Sequence, residues 1–206
     1  MRYWVPNHEM EMCGHAAVGA VWALQSLHLL PDAPSIRIST LSGVVEARIV
    51  PSPPDSTSDT VSSKQSILVS QPTGIVGDID PDHILEILSS LNLKETDLIP
   101  GLKIQNARTS RTKTLIPVKD RATLGSLLRI QNRYTFRGKA VSAIAGSALV
   151  FGLVQSGVVD ARTESPIVVR QGWLMGKPSE IRVLLRRECG VLVGCWISGD
   201  VRWVRD

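Results

Sequence analysis

Apolar and polar residues alternate along this chain in two different rhythms. Over residues 13–30, CGHAAVGAVWALQSLHLL, Ala, Val, Leu and Trp recur at helical spacing on a broad face. That breadth predicts a helix enclosed by other elements, with Pro31 as its stop. A second very apolar helix is predicted over residues 141–154, again introduced by small residues. Residues 81–91 predict a shorter helix, with Pro81 and Asp82 in its first turn and Ile84, Leu85, Ile87 and Leu88 as its buried stripe. Residues 120–130 predict another.

Elsewhere the period is two. Residues 36–40 and 44–50 predict strands joined at Leu41-Ser42-Gly43 as a hairpin. The Pro-, Ser- and Thr-rich run 51–65, PSPPDSTSDTVSSKQ, predicts an exposed loop. Further strands are predicted at 66–70, 114–118, 167–169, 181–185, 191–193 and 201–204. Strands therefore surround one apolar helix in each half. The expectation is an α+β fold of two pseudo-repeated, barrel-like β domains, each around a central helix, since closure hides unpaired strand edges. The domains are placed at 1–77 and 78–198, with a tail strand at 199–206 returning to the first.

Candidate chemistry gathers where these helices begin. Gly14-His15 opens the first, and a helix start offers unsatisfied N–H groups and a positive dipole end that suit a carboxylate. Such a field favours a neutral ring at His15, fit to move a proton; the plainer reading is a histidine that caps or packs. Gly146-Ser147 repeats the theme at the second helix, as an oxyanion site or as an ordinary N-cap. Glu9 and Glu11 flank Met10 in strand-like alternation, either as solvated side chains or with one carboxylate facing the helix start. Cys13 is either an activated thiol or a small buried apolar residue. Walker, GxGxxG, HExxH and GxSxG patterns are absent, and the four histidines do not pair at helical spacing, so no metal site is expected.

Composition narrows the partners. The net charge of +4 is spread along the chain and aromatic residues make up only 4%, which argues against a nucleic-acid partner. No apolar run of 18 residues predicts a membrane span, and His8 and Glu9 precede any apolar stretch, unlike a signal peptide. Cys13, Cys189 and Cys195 are odd in number and lack CxxC spacing, which reads as reduced thiols. The expectation is a soluble, cytoplasmic protein.

The run Pro6-Asn7-His8-Glu9-Met10-Glu11-Met12-Cys13-Gly14-His15-Ala16-Ala17 resembles the signature of the PhzF, or phenazine-biosynthesis-like, family. Thr40-Leu41-Ser42-Gly43, Gln71-Pro72, Leu115-Ile116-Pro117-Val118, Gly146-Ser147-Ala148 and the run from Gln171 to Ser179 follow in family order. The resemblance implies the diaminopimelate-epimerase-like fold and a cofactor-free isomerase of a small carboxylated metabolite, acting by proton transfer, as a homodimer, in secondary metabolite biosynthesis. It places His15 and Gly14 on site positions in the first domain, and Gly146 and Ser147 on site positions in the second. It also implies an N-terminally truncated first domain, because the family's catalytic glutamate lies upstream of the Cys-Gly-His motif. Ser142 stands where the family carries an aspartate. Two rival readings stay open: a catalytically inactive remnant or binding protein, and a cysteine-dependent epimerase using Cys13.

Overall fold

The computed structural model describes residues 1–51, 65–130, 135–136, 139–140, 146–172, 176 and 178–203. The chain opens with the short strands β1 (Tyr3–Val5) and β2 (His8–Met10), then α1 (Gly14–Ser26) and the strands β3 (Ser35–Thr40), β4 (Gly43–Pro51) and β5 (Gln65–Pro72). It continues through β6 (Ile75–Asp78), α2 (Pro81–Ser90), a 3₁₀ turn (Glu95–Asp97), β7 (Gln105–Arg108), β8 (Thr112–Leu115) and α3 (Arg121–Ile130). The strands β9 (Thr135–Phe136) and β10 (Lys139–Ala140), the helix α4 (Gly146–Gln155), and the strands β11 (Ile167–Gln171), β12 (Ser179–Glu188) and β13 (Val191–Ser198) complete it.

Helix α1 ends at Ser26, short of the Pro31 stop. His28 takes a left-handed φ of 54°, and the amides of Leu27, His28 and Leu29 fold back onto Ala23, Gln25 and Leu24. That closing turn ends the helix before proline has a say. The expected hairpin is present as β3 and β4, turned at Gly43, whose φ of 106° few other residues adopt. Of the loop expected over 51–65, Pro51 and Gln65 are paired strand ends, and 52–64 lie outside the described residues.

Two compact units form. The first comprises Met1–Pro72, Glu164–Arg170 and Ser179–Asp206; the second comprises Thr73–Thr163 and Gln171–Pro178. This corrects the expected division at 78 and 198. Strand β13 pairs antiparallel with β5, Ile197 opposite Val69, so β12 and β13 complete the first unit's sheet instead of closing the second. The residues after 198 group with the first unit, where the Trp203 ring lies 5.2 Å from Trp22 of α1. They do so without forming a strand over Val201–Trp203.

The first unit's sheet runs β11-β12-β13-β5-β4-β3. One row of directly opposed residues, Val183, Ile197, Val69, Ala47 and Ile36, crosses five of its strands. The same face carries Val45 and Ile67, and α1 covers it with Ala17, Val18, Val21 and Trp22, all buried. Burial of each such side chain stabilises by roughly 1.5–3 kcal/mol, so this face is what joins helix to sheet. On the opposite face the Arg48 and Arg186 guanidinium carbons stand 4.5 and 5.8 Å from the Trp196 ring centre.

In the second unit α4 packs on the sheet β6-β7-β8. Gln105 Nε2 donates to the Gly152 carbonyl at 3.1 Å, and the glycine admits the close approach of Leu115. A separate core of Ile87, Leu88, Leu91, Leu93, Ile104 and Leu127 gathers α2, α3 and the segment leading into β7. Among the described residues both principal ladders are open, and no helix is long and apolar enough to cross a membrane.

Candidate active site

The start of α1 is built by anchoring what precedes it. Strands β1 and β2 form a tight hairpin, Val5 opposite His8. Met12 is buried, and its sulfur accepts a hydrogen bond from the equally buried Gln71 of β5 at 3.5 Å. Cys13 is the N-cap residue in extended conformation; its carbonyl accepts the Ala17 amide at 2.9 Å, while its side chain makes no capping bond. The amides of the first turn are thus left to other acceptors. Gly14 brings this turn against β13: a Cβ there would fall 2.2 Å from Ile197 Cδ1.

His15 follows on the exposed side of that turn, yet the protein mass around it lowers its pKa below the ordinary 6.5 by partial desolvation. That direction favours the neutral ring. Glu9 is committed elsewhere. Its two carboxylate oxygens accept from Arg2 Nε and Nη2 at 2.7 and 2.6 Å, and those hydrogen bonds, ahead of the opposing partial burial, hold its pKa below the usual carboxylate value. A carboxylate stabilised in its charged form by a guanidinium is a weak proton acceptor. Glu11 is exposed, and its carbonyl receives the Ser42 amide at 3.3 Å.

Of the thiols, Cys13 is half-buried and Cys189 exposed, whereas Cys195 is wholly buried and pushed by desolvation up to about 12. Cys195 therefore offers no thiolate at neutral pH. Tyr3 was not legible as a site residue. It is buried within β1, its hydroxyl has no partner among the described residues, and desolvation, followed by an electrostatic contribution from Cys13, raises its pKa.

The second turn lies in the other unit. Gly146 and Ser147, both buried, open α4, and the Ser147 hydroxyl lies 3.1 Å from the Thr109 hydroxyl just beyond β7. A hydroxyl has one proton and two lone pairs, so this pairing leaves Ser147 capacity for a second partner. Lys113 stands opposite Ala107 in the adjoining ladder; burial first, then the charge of Arg111, lowers its ammonium pKa. Thr109 was missed because a hydroxyl in a polar hairpin carries no pattern of its own. Ser142 lies outside the described residues, as do Trp173 to Met175 of the last motif. Among the described residues no three His, Cys, Asp or Glu side chains cluster as metal ligands.

The Thr109–Ser147 contact can be measured. Thr109→Val is expected to destabilise by about 1–3 kcal/mol, because it leaves the buried Ser147 hydroxyl unsatisfied. The double variant with Ser147→Ala should recover about 1 kcal/mol of that loss. Urea unfolding of the four proteins checks this; strictly additive losses would remove the contact from the account.

These features, an antiparallel sheet with an apolar, glycine-opened helix in each of two units, define an α+β protein of duplicated design. A family described as phenazine biosynthesis-like protein (PhzC-PhzF) matches residues 1–143, and the chain belongs to that family. Among curated proteins, the uncharacterized isomerase YddE of Escherichia coli K12 is 28% identical over 142 residues, which are 68% of this chain and 44% of that protein. The uncharacterized isomerase YfhB of Bacillus subtilis is 37% identical over 49 residues, 24% of this chain and 17% of its own. The chain thus spans less than half the length of these curated relatives. Among solved structures, a PhzF-family phenazine biosynthesis protein of Bacillus anthracis superposes with a TM-score of 0.72 at 20% identity, covering 96% of this chain and 76% of that one. A predicted epimerase of Pseudomonas aeruginosa does so at 0.69 and 18%, covering 96% and 74%. These likenesses establish the expected fold.

Proposed function

We propose that the protein is a cofactor-independent isomerase of a small carboxylated metabolite, moving a proton by acid–base catalysis. Its relatives YddE and YfhB carry the name isomerase, which supports the reaction class. The observation that carries the reading is the solvent-reachable His15 on the first turn of α1, where partial burial lowers its pKa. The substrate carboxylate rests on the first-turn amides of Gly14 and His15. The imidazole takes a proton from an activated C–H of the substrate, becomes imidazolium, and returns the proton at a second carbon. No net redox change or co-reactant is involved. In this reading Gly146 and Ser147 bind a carboxylate or hydroxyl of the same ligand class. The setting is a cytoplasmic homodimer in secondary metabolite biosynthesis.

The Arg2–Glu9 pairing favours a second reading, a binding protein without turnover, because it withdraws the Glu9 carboxylate, in the hairpin before α1, from proton transfer. Incubation in D₂O with a panel of small cyclic hydroxy acids and amino acids, followed by proton NMR, separates the two. The isomerase reading expects time-dependent loss of one substrate C–H signal. Saturable binding with no exchange overturns it in favour of the binding protein. The cysteine-dependent reading rests on Cys13, since the buried Cys195 thiol stays protonated.

A further inference from the structure

The second unit carries a cleft that the proposed chemistry does not use. It opens between the N-terminal half of α2 and the loop that runs from the 3₁₀ turn to β7, and its volume is about 930 Å³. Small-molecule sites span roughly 300–1,000 Å³. Leu88 and Ile104, both buried, line it together with the apolar Ile84, Leu98, Ile99 and Leu102. Ile99 remains 39% exposed there. The loop turns at Pro100-Gly101, where Gly101 has a φ of 81°. Apolar surface kept concave and wet is the usual sign of a ligand site.

The rim gives the ligand its sign. Asp78, Glu95 and Lys103 are the exposed charged groups that line it. Asp78 and Lys103 meet at 3.7 Å with both side chains 76% exposed, a pairing too hydrated to neutralise either strongly. The acidic excess extends beyond the rim. Residues 78–104 contain six acidic and two basic side chains, although the whole chain carries a net charge of +4. Of the other four acids, none of which lines the cleft, Asp80 caps α2 and Asp97 is held by Lys119 and the Lys94 amide, while Asp82 and Glu86 lie on α2. Asp78 and Glu95 are left facing the cleft, and a low-dielectric concavity with one dominant charge focuses its field on whatever enters.

We propose that this cleft binds a small molecule with an aromatic or branched aliphatic body and a single ammonium group. The apolar body lies over Leu88 and Ile104, and the ammonium is seated between Asp78 and Glu95. The inference is independent of the reading of the α1 start.

Two probes that share a naphthalene body test it. 1-Naphthylmethylamine and 1-naphthylacetate are titrated into the full chain and followed by amide chemical shifts. The amine should saturate at about millimolar concentration, as expected for a ligand of this size. Its shifts should centre on residues 98–104. The acid should bind about fivefold or more weakly, from two partly screened carboxylates. The charge-reversed variant Asp78→Lys with Glu95→Lys, altered only at exposed positions, should retain its fold and invert the preference. Leu102→Lys, which sets a like charge in the apolar wall, should abolish binding of the amine. Equal affinity for the two probes, no saturable shifts, shifts centred elsewhere, or a preference unmoved by charge reversal would each overturn the proposal.

Discussion

Replacing Gly194 with alanine should destabilise the first unit by about 2–4 kcal/mol. The residue lies in β13 opposite Pro72 of β5, with a φ of 157°, and a Cβ there would stand 2.4 Å from the Gln71 carbonyl oxygen. That oxygen is backbone, so it cannot rotate away as a side-chain tip would. Relief requires β13 to draw back from β5, which weakens ladder hydrogen bonds and shifts Gln71 from its contact with Met12 beneath the α1 start. Urea unfolding followed by tryptophan fluorescence, with Trp196 two residues along the strand, reads the loss. Gly19→Ala is the control. No atom would crowd its Cβ on α1, so this change should instead gain up to about 1 kcal/mol. A Gly194→Ala midpoint equal to that of the parent would show that the strand junction tolerates separation.

The largest effect on turnover is expected at His15. His15→Gln should lower proton exchange by roughly 10²–10⁴-fold while leaving KM within a few-fold, since in the proposed reading amides rather than the ring hold the carboxylate. The pH profile supplies the sign. Partial burial lowers the His15 pKa, so the imidazole stays neutral as pH falls past the ordinary 6.5. The rate should therefore hold level from neutrality to below 6.5 and decline only at more acid pH, as imidazolium forms. The same direction predicts that His15 makes the fold lose stability in acid, from about pH 6.5 downward, because the unfolded chain takes up its proton first. An acid limb centred above 6.5, or a His15→Gln variant of full activity, would remove His15 from the proton-transfer role.

The parts of this fold visible in the sequence are those whose signal is local. Helix α1 and the β3–β4 hairpin are written in apolar spacing and in the one turn glycine that a positive φ demands. Strand β7, Gln105–Arg108, carried no such signal, because three of its four residues are polar and only Ala107 is fully buried. The pairing of β13 with β5 joins residues more than a hundred positions apart, and no periodicity reports which distant strands meet. The same holds for the site. Gly14 and His15 were legible as a helix start, whereas the influence of Cys13 on Tyr3 and the contact of Thr109 with Ser147 arise only through tertiary structure. Glu9 looked available because its Arg2 partner sits across a hairpin turn, a relation that register reveals and spacing does not.

The order in which this chain is laid out also bears on its birth. The second unit is largely one continuous stretch set inside a first unit that is split in sequence. During synthesis, Thr73–Thr163 can collapse soon after leaving the ribosome, while β5 waits with one edge bare until β13 is made. Closing so distant a pairing is slow, and the waiting edge is a template for stray strands. Assistance from a chaperone should matter most in that interval, between emergence of β5 and release of the tail.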